Sequence, residues 1–181
     1  MTGRRLMIIL LLLWPCLMTA RPGNVHLQRL TYADGLSNQK VNCILKSHDG
    51  YLWLGTLLGL NRFDGLRVRS FFNHPNDAST LPDNTILSLS EDAEGMLWVE
   101  TPAGFCIFNP VTDKVERNTA RWLTQRRMKG KVLRMASDSR RNLWVVTDQY
   151  RLYYYDFSIR RALSVATGKG ALTHISSLFP K

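Results

Sequence analysis

Tryptophan returns almost on a fixed count along this chain: Trp53, Trp98 and Trp144 are separated by 45 and then 46 residues. Each sits in a similar phrase, SHDGYLWLGTLLGLNRFDG, EDAEGMLWVETPAGFCIFNP and SDSRRNLWVVTDQYRLYYYD, with Thr56, Thr101 and Thr147 three residues on. Recurrence at a fixed period of about 40 to 50 residues marks a repeat architecture, in which one supersecondary unit stacks on its neighbours.

The register extends upstream. Val41, Ile86 and Val132 lie twelve residues before their tryptophans, and Ile44, Leu89 and Met135 nine before. The runs VNCILKS, ILSLSED and VLRMASD mix apolar and polar residues as partly buried strands do. Asp49-Gly50 and Glu94-Gly95 supply turn chemistry, and Arg141-Asn142 replaces them in the third unit, with Asn taking the glycine's role. Leu-Trp-x-x-Thr is then a second strand. A turn carrying Gly59 or Gly104 leads to a third strand (LNRFD, FCIFN, RLYYYD), and a fourth is read at 67–72 and, more weakly, 114–117. Four short strands per unit at this period describe a propeller blade. The expectation is an all-β fold, a partial β-propeller of about three four-stranded blades at 35–80, 81–125 and 126–171. A lead-in spans 21–34, with a short strand over 25–31, and 172–181 starts a fourth blade.

Gly35-Leu36-Ser37-Asn38, Asp49-Gly50-Tyr51-Leu52-Trp53-Leu54-Gly55-Thr56 and Gly59-Leu60-Asn61-Arg62-Phe63-Asp64-Gly65 resemble the two-component regulator propeller repeats, as does TLPDNTILSLSEDAEGMLWVETPAGFCIFNP. Such repeats occur in the extracytoplasmic sensor region of hybrid two-component histidine kinases of Bacteroidetes-type bacteria. The resemblance covers roughly residues 30–157. Units two and three depart from the pattern: Glu100 stands where Gly precedes the Thr, and Asp148-Gln149-Tyr150 replaces a glycine-bearing turn, so reshaped turns are expected there. The resemblance implies a periplasmic ligand-sensing propeller, commonly tuned to glycans, that signals through a membrane helix to a cytoplasmic kinase.

The beginning of the chain points to the same compartment independently. Arg4 and Arg5 precede an apolar run from Leu6 to about Ala20, and polarity rises at Arg21. A basic start, a 15-residue apolar stretch and a small residue at its end describe a helical secretory signal peptide over 1–20. An uncleaved anchor and lipidation at Cys16 are the alternatives. The run is shorter than the roughly 20 residues a spanning helix needs, and no second apolar segment of membrane length follows. With no kinase module, and with rings closing at four to eight blades, the expectation is an N-terminal fragment of an exported, membrane-anchored sensor. Its open strand edges would be covered by the remaining blades or by a second copy.

Charge is unevenly distributed. Residues 1–111 carry nine Lys and Arg against nine Asp and Glu, and residues 112–181 fifteen against five, so the whole net charge of +10 lies in the second segment. Arg117, Arg121, Arg126, Arg127, Lys129, Lys131 and Arg134 are the densest part. Their field would attract acidic polymers or anionic headgroups. Export makes nucleic acid a poor partner, and an oligo- or polysaccharide, acidic in particular, suits the charge better; a merely solvated loop is the competing reading. Trp122 falls in this basic connection, out of phase with the other three. It is the one ligand-binding candidate, for stacking on a sugar ring, although a connecting-loop tryptophan also packs back on its own blade.

No catalytic constellation emerges. His26, His48, His74 and His174 lack metal-site spacing, Asp49 and Asp64 are turn formers, and no P-loop or Gly-x-Ser-x-Gly elbow occurs. No cofactor is expected, and no enzyme activity. Cys43 and Cys106 fall in different strands of different units, and two buried thiols are expected over a disulfide. Equivalent loop positions Asn38, Asp83 and Lys129, fifteen before each tryptophan, differ in charge, which suits an asymmetric recognition surface or unconstrained loops alike. The competing function is a secreted propeller enzyme or carbohydrate-binding scaffold.

Overall fold

The computed structural model describes residues 29–167. Three antiparallel four-stranded sheets follow one another along the chain. Sheet 1 holds β1 (Val41–Lys46), β2 (Leu52–Thr56), β3 (Gly59–Phe63) and β4 (Val68–Phe71). Sheet 2 holds β5 (Ser88–Glu91), β6 (Leu97–Thr101), β7 (Gly104–Asn109) and β8 (Lys114–Glu116), and sheet 3 holds β9 (Val132–Ser137), β10 (Leu143–Thr147), β11 (Arg151–Asp156) and β12 (Arg161–Thr167). Each sheet is a meander in chain order, and the first strands β1, β5 and β9 lie side by side. This is the all-β, propeller-type fold the spacing predicts. The segment 1–20, residues 21–28 of the lead-in and the fourth-blade start at 172–181 lie outside the described residues.

The repeated phrase is explained by where its side chains go. Period-two alternation turns Trp53 toward sheet 2, where it packs with Leu60, Leu81, Ile86, Leu97, Val99 and Phe108, fully buried. Trp98 does the same one sheet on, among Leu123, Met128, Leu143, Val145 and Tyr153. Each tryptophan therefore belongs to the seam between successive sheets. Trp144 occupies the equivalent place on the far face of sheet 3, where it is half-buried and stacks at 4.8 Å on Tyr154. Leu163 lies beside Tyr154 in register on that face and is exposed, as is Ile44 on the far face of sheet 1.

The threonines close turns. Thr56 Oγ1 donates to the Gly59 carbonyl at 2.9 Å and Thr101 Oγ1 to the Gly104 carbonyl at 2.8 Å. In sheet 3 Tyr150 takes the glycine's place with φ 54°, and Thr147 Oγ1 is buried with no partner. The first hairpin turn repeats too, but the residue standing for Gly50 and Gly95 is Arg141, at φ 62°, and not Asn142 as the sequence reading had it. Asn142 serves elsewhere: its amide donates to the Tyr154 hydroxyl and its Oδ1 accepts from the Phe157 amide. At Glu100 the turn that follows keeps its shape. The Glu100 carboxylate accepts from Ser88 Oγ across the strand pair, and Gly104 keeps the same positive φ as Gly59.

Two expected elements differ. Residues 29–31, the described part of the strand read at 25–31, are not a strand, because the Thr31 amide donates to Asp34 Oδ2 at 2.8 Å and caps a short 3-10 turn, Tyr32–Asp34. The connection between sheets 2 and 3 is not a plain loop. It contains the helix α1 (Thr119–Gln125), whose first turn is closed by Asn118 Oδ1 accepting from the Arg121 amide at 3.1 Å.

Candidate ligand-binding surface

Helix α1 carries Trp122 to the seam of sheets 2 and 3. Its indole meets Trp98 edge-on at 4.7 Å and Tyr155 at 5.3 Å, and Arg126 lies over its ring, 3.8 Å from the centroid. The ring is half-buried and also lines a surface depression with Glu116, Asn118, Arg121 and Gln125. Packing and exposure thus coexist at this residue.

The basic residues divide by role. Arg117 is tied down: its guanidinium donates to the carbonyls of Thr80 and Leu81, both at 2.8 Å. Arg134 projects from the far face of sheet 3, in register with Val146, away from α1. Arg126 and Arg127 sit at the end of α1 and share a cleft with Arg160 of the β11–β12 turn and Arg161, the first residue of β12. Those two arginines escaped the sequence reading, which stopped its cluster at Arg134. The charge excess after residue 111 contained them, but only the β11–β12 hairpin brings them back to α1.

The loop positions fifteen before each tryptophan are mainly turn formers. Asn38 Oδ1 accepts from the Lys40 amide and Asp83 Oδ1 from the Thr85 amide, while Lys129 is exposed. Asp64 behaves as expected, accepting from the amides of Leu66 and Arg67, which hold its carboxyl below the usual range. His48 reaches across the first seam, its Nδ1 at 2.6 Å from Oε1 of Glu91, a carboxylate that is almost fully buried and also lies 3.7 Å from Arg141. Among the described residues no three His, Cys, Asp or Glu side chains gather as a metal site. Cys43 and Cys106 both pack in the first seam as free thiols. No helix among the described residues is long and apolar enough to cross a membrane.

Residues 35–57 and 80–99 match the family model described as two component regulator propeller. Histidine kinase P4 of Formosa agariphila is 37% identical over 62 residues, which are 34% of this chain and 4% of that protein. The extracellular domain of a Bacteroides thetaiotaomicron protein described as a hybrid two component system, BT3049, superposes with a TM-score of 0.55 at 26% identity, covering 77% of this chain and 20% of that one. This chain therefore spans only a small part of the length of either relative.

Proposed function

We propose that this chain, which carries two-component regulator propeller repeats, supplies blades of a ligand-reading propeller in an extracytoplasmic sensor of two-component signalling. The likeness to an extracellular domain of that kind over 77% of the chain carries the reading. Residues 1–20 direct export, and the signal passes to a membrane helix and kinase in a longer protein. The ligand is an oligosaccharide, and the chain acts by binding and not by catalysis. Apolar side chains on the far faces, Ile44 on sheet 1 and Leu163 on sheet 3, are covered there by further blades or by a second copy.

The test has two arms. Fused in frame to an alkaline phosphatase that is active only outside the cytoplasm, the full chain should give phosphatase-positive cells, and removal of residues 1–20 should abolish the signal. Titration of the full chain with a panel of oligosaccharides should yield at least one saturable binder. Phosphatase-negative cells, or a panel without a binder, would overturn the proposal.

A further inference from the structure

Around α1 the surface carries three depressions in a row. The central one, about 490 Å³, has Arg126, Arg127, Arg160 and Arg161 in its walls. Gln125 is shared with a depression of about 230 Å³ that holds Arg121 and Trp122, and Arg160 is shared with one of about 390 Å³ that holds Arg140. Six arginines thus follow one path along the outer side of the seam between sheets 2 and 3.

Their charge is compensated only in part. The carboxylates lining the same depressions are Glu94, Asp156 and Glu116. Hydrogen bonds leave these charges in place: Asp156 accepts from Ser158 and is held low, with Arg140 contributing, Glu116 accepts from the Asn118 amide, and Glu94 pairs with Arg126 at 3.8 Å, so six arginines face three carboxylates and remain in excess. Arg126 is also pre-positioned. Stacked on Trp122 and 5.3 Å from the Tyr155 centroid, its guanidinium is held in place while its Nε is buried with no partner. Planar guanidinium groups match the paired oxygens of carboxylates and sulfate esters, and a group of them with an excess of positive charge concentrates anions locally. The central volume lies in the range of small-ligand sites, roughly 300–1,000 Å³.

We infer that this path is a binding track for an acidic oligosaccharide, with Arg126, Arg127, Arg160 and Arg161 gripping one carboxylate- or sulfate-bearing sugar and the flanking depressions taking its neighbours. Joined depressions favour a linear chain with repeating anionic groups over a single compact headgroup. The inference rests on the sensor reading for its choice of a glycan among polyanions.

The experiment is calorimetric titration of the full chain with a sulfated hexasaccharide, a galacturonate hexasaccharide, a neutral hexasaccharide and a single-stranded oligonucleotide of equal charge. At least one acidic sugar should bind, the neutral one at least tenfold more weakly. Arg160→Asn combined with Arg161→Gln should weaken acidic binding at least tenfold with an unchanged circular dichroism spectrum; Asn suits the positive φ at position 160. The control pair Lys40→Gln and Lys46→Gln, equal in charge but placed just before β1 and at its end, should change it less than threefold. Equal loss in the control, tighter binding of the oligonucleotide, or no binding of either acidic sugar would overturn the track. A neutral sugar bound as tightly would overturn the track while leaving the sensor reading standing, whereas failed export in the phosphatase fusion would remove that reading without touching the arginine measurements.

Discussion

Burial forces each seam tryptophan to find a partner for its indole N–H, and the two seams do so differently. Trp53 Nε1 donates to the Ser47 hydroxyl at 3.3 Å, whereas Trp98 Nε1 donates to the Asp92 carboxylate at 2.9 Å. Burial pushes the Asp92 carboxyl above its usual range, against the opposing pull of the hydrogen bonds from Trp98, Met96 and Glu94. A carboxyl raised by folding favours the folded state while protonated, so its contribution is present below the unfolded value near 3.9 and is lost as pH rises through the folded value. Asp92→Ser, which imports the neutral partner of the first seam, should therefore flatten this part of the stability profile. Denaturant titrations from pH 3 to 7 check it, and a variant that keeps the wild-type slope contradicts it. Burial also pushes the thiols of Cys43 and Cys106 up, to about 11 and about 12, so little reactive thiolate exists at neutral pH. Iodoacetamide should label neither within minutes at pH 7.5 in the native chain and both in urea, without prior reduction. A requirement for reductant would mean a disulfide.

Hairpins were the most legible elements, because their signal is local. Strand, glycine turn and Leu-Trp-x-x-Thr recur in sequence, and the three sheets follow. The departures are visible in the sequence, but their outcome is set by the strand pairing around them. Arg141 and Tyr150 hold left-handed conformations that their repeats give to glycine, since the strand pairing on both sides of each turn fixes the hairpin geometry. A left-handed non-glycine residue costs roughly 1–2 kcal/mol, and Thr147 Oγ1 is left without a partner as well. Tyr150→Gly should restore the threonine bond seen at Thr56 and Thr101. Offset by the flexibility glycine adds to the unfolded chain, the net gain should be about 1 kcal/mol, or roughly 2–4 °C in melting temperature. A lower melting temperature would show that Tyr150 contributes packing not evident from its exposure. Helix α1 was missed because seven residues show no usable period; its one signal, Asn118 as a cap ahead of Ala, Arg and Leu, is weak alone. With Trp122 on that helix, Trp122→Ala should cost about 2–4 kcal/mol, since three aromatic neighbours lose their contact. A stability loss under 0.5 kcal/mol in urea melts would instead leave Trp122 as a surface residue.

At the scale of the whole molecule, seams hold the sheets in sequence. The first combines the Trp53 core with polar ties: Ile86 N–H donates to the Thr56 carbonyl at 2.9 Å, Asn42 Nδ2 to the Ile86 carbonyl at 2.8 Å, and Arg69 pairs with Asp113 at 2.7 Å. Close approach matters as well: a Cβ at Gly55 would meet Cys43 Sγ and come within 2.6 Å of Ile86 Cγ2. None of these long-range pairings could be read from one sequence, although the tryptophan spacing announced that seams would exist. The arginine track shows the same limit, because Arg126 and Arg127 of its central depression precede Arg160 and Arg161 by 33 residues or more and meet them only through the fold. The central claim is that a 45–46-residue period builds three equivalent sheets. Hydrogen–deuterium exchange of the full chain, resolved to peptides, tests it most directly. Slow exchange should fall in three groups centred on β2–β3, β6–β7 and β10–β11, at the spacing of Trp53, Trp98 and Trp144, with the outer strands β4, β8 and β12 exchanging faster; protection that ignores this spacing, or is absent from one of the three groups, would contradict it.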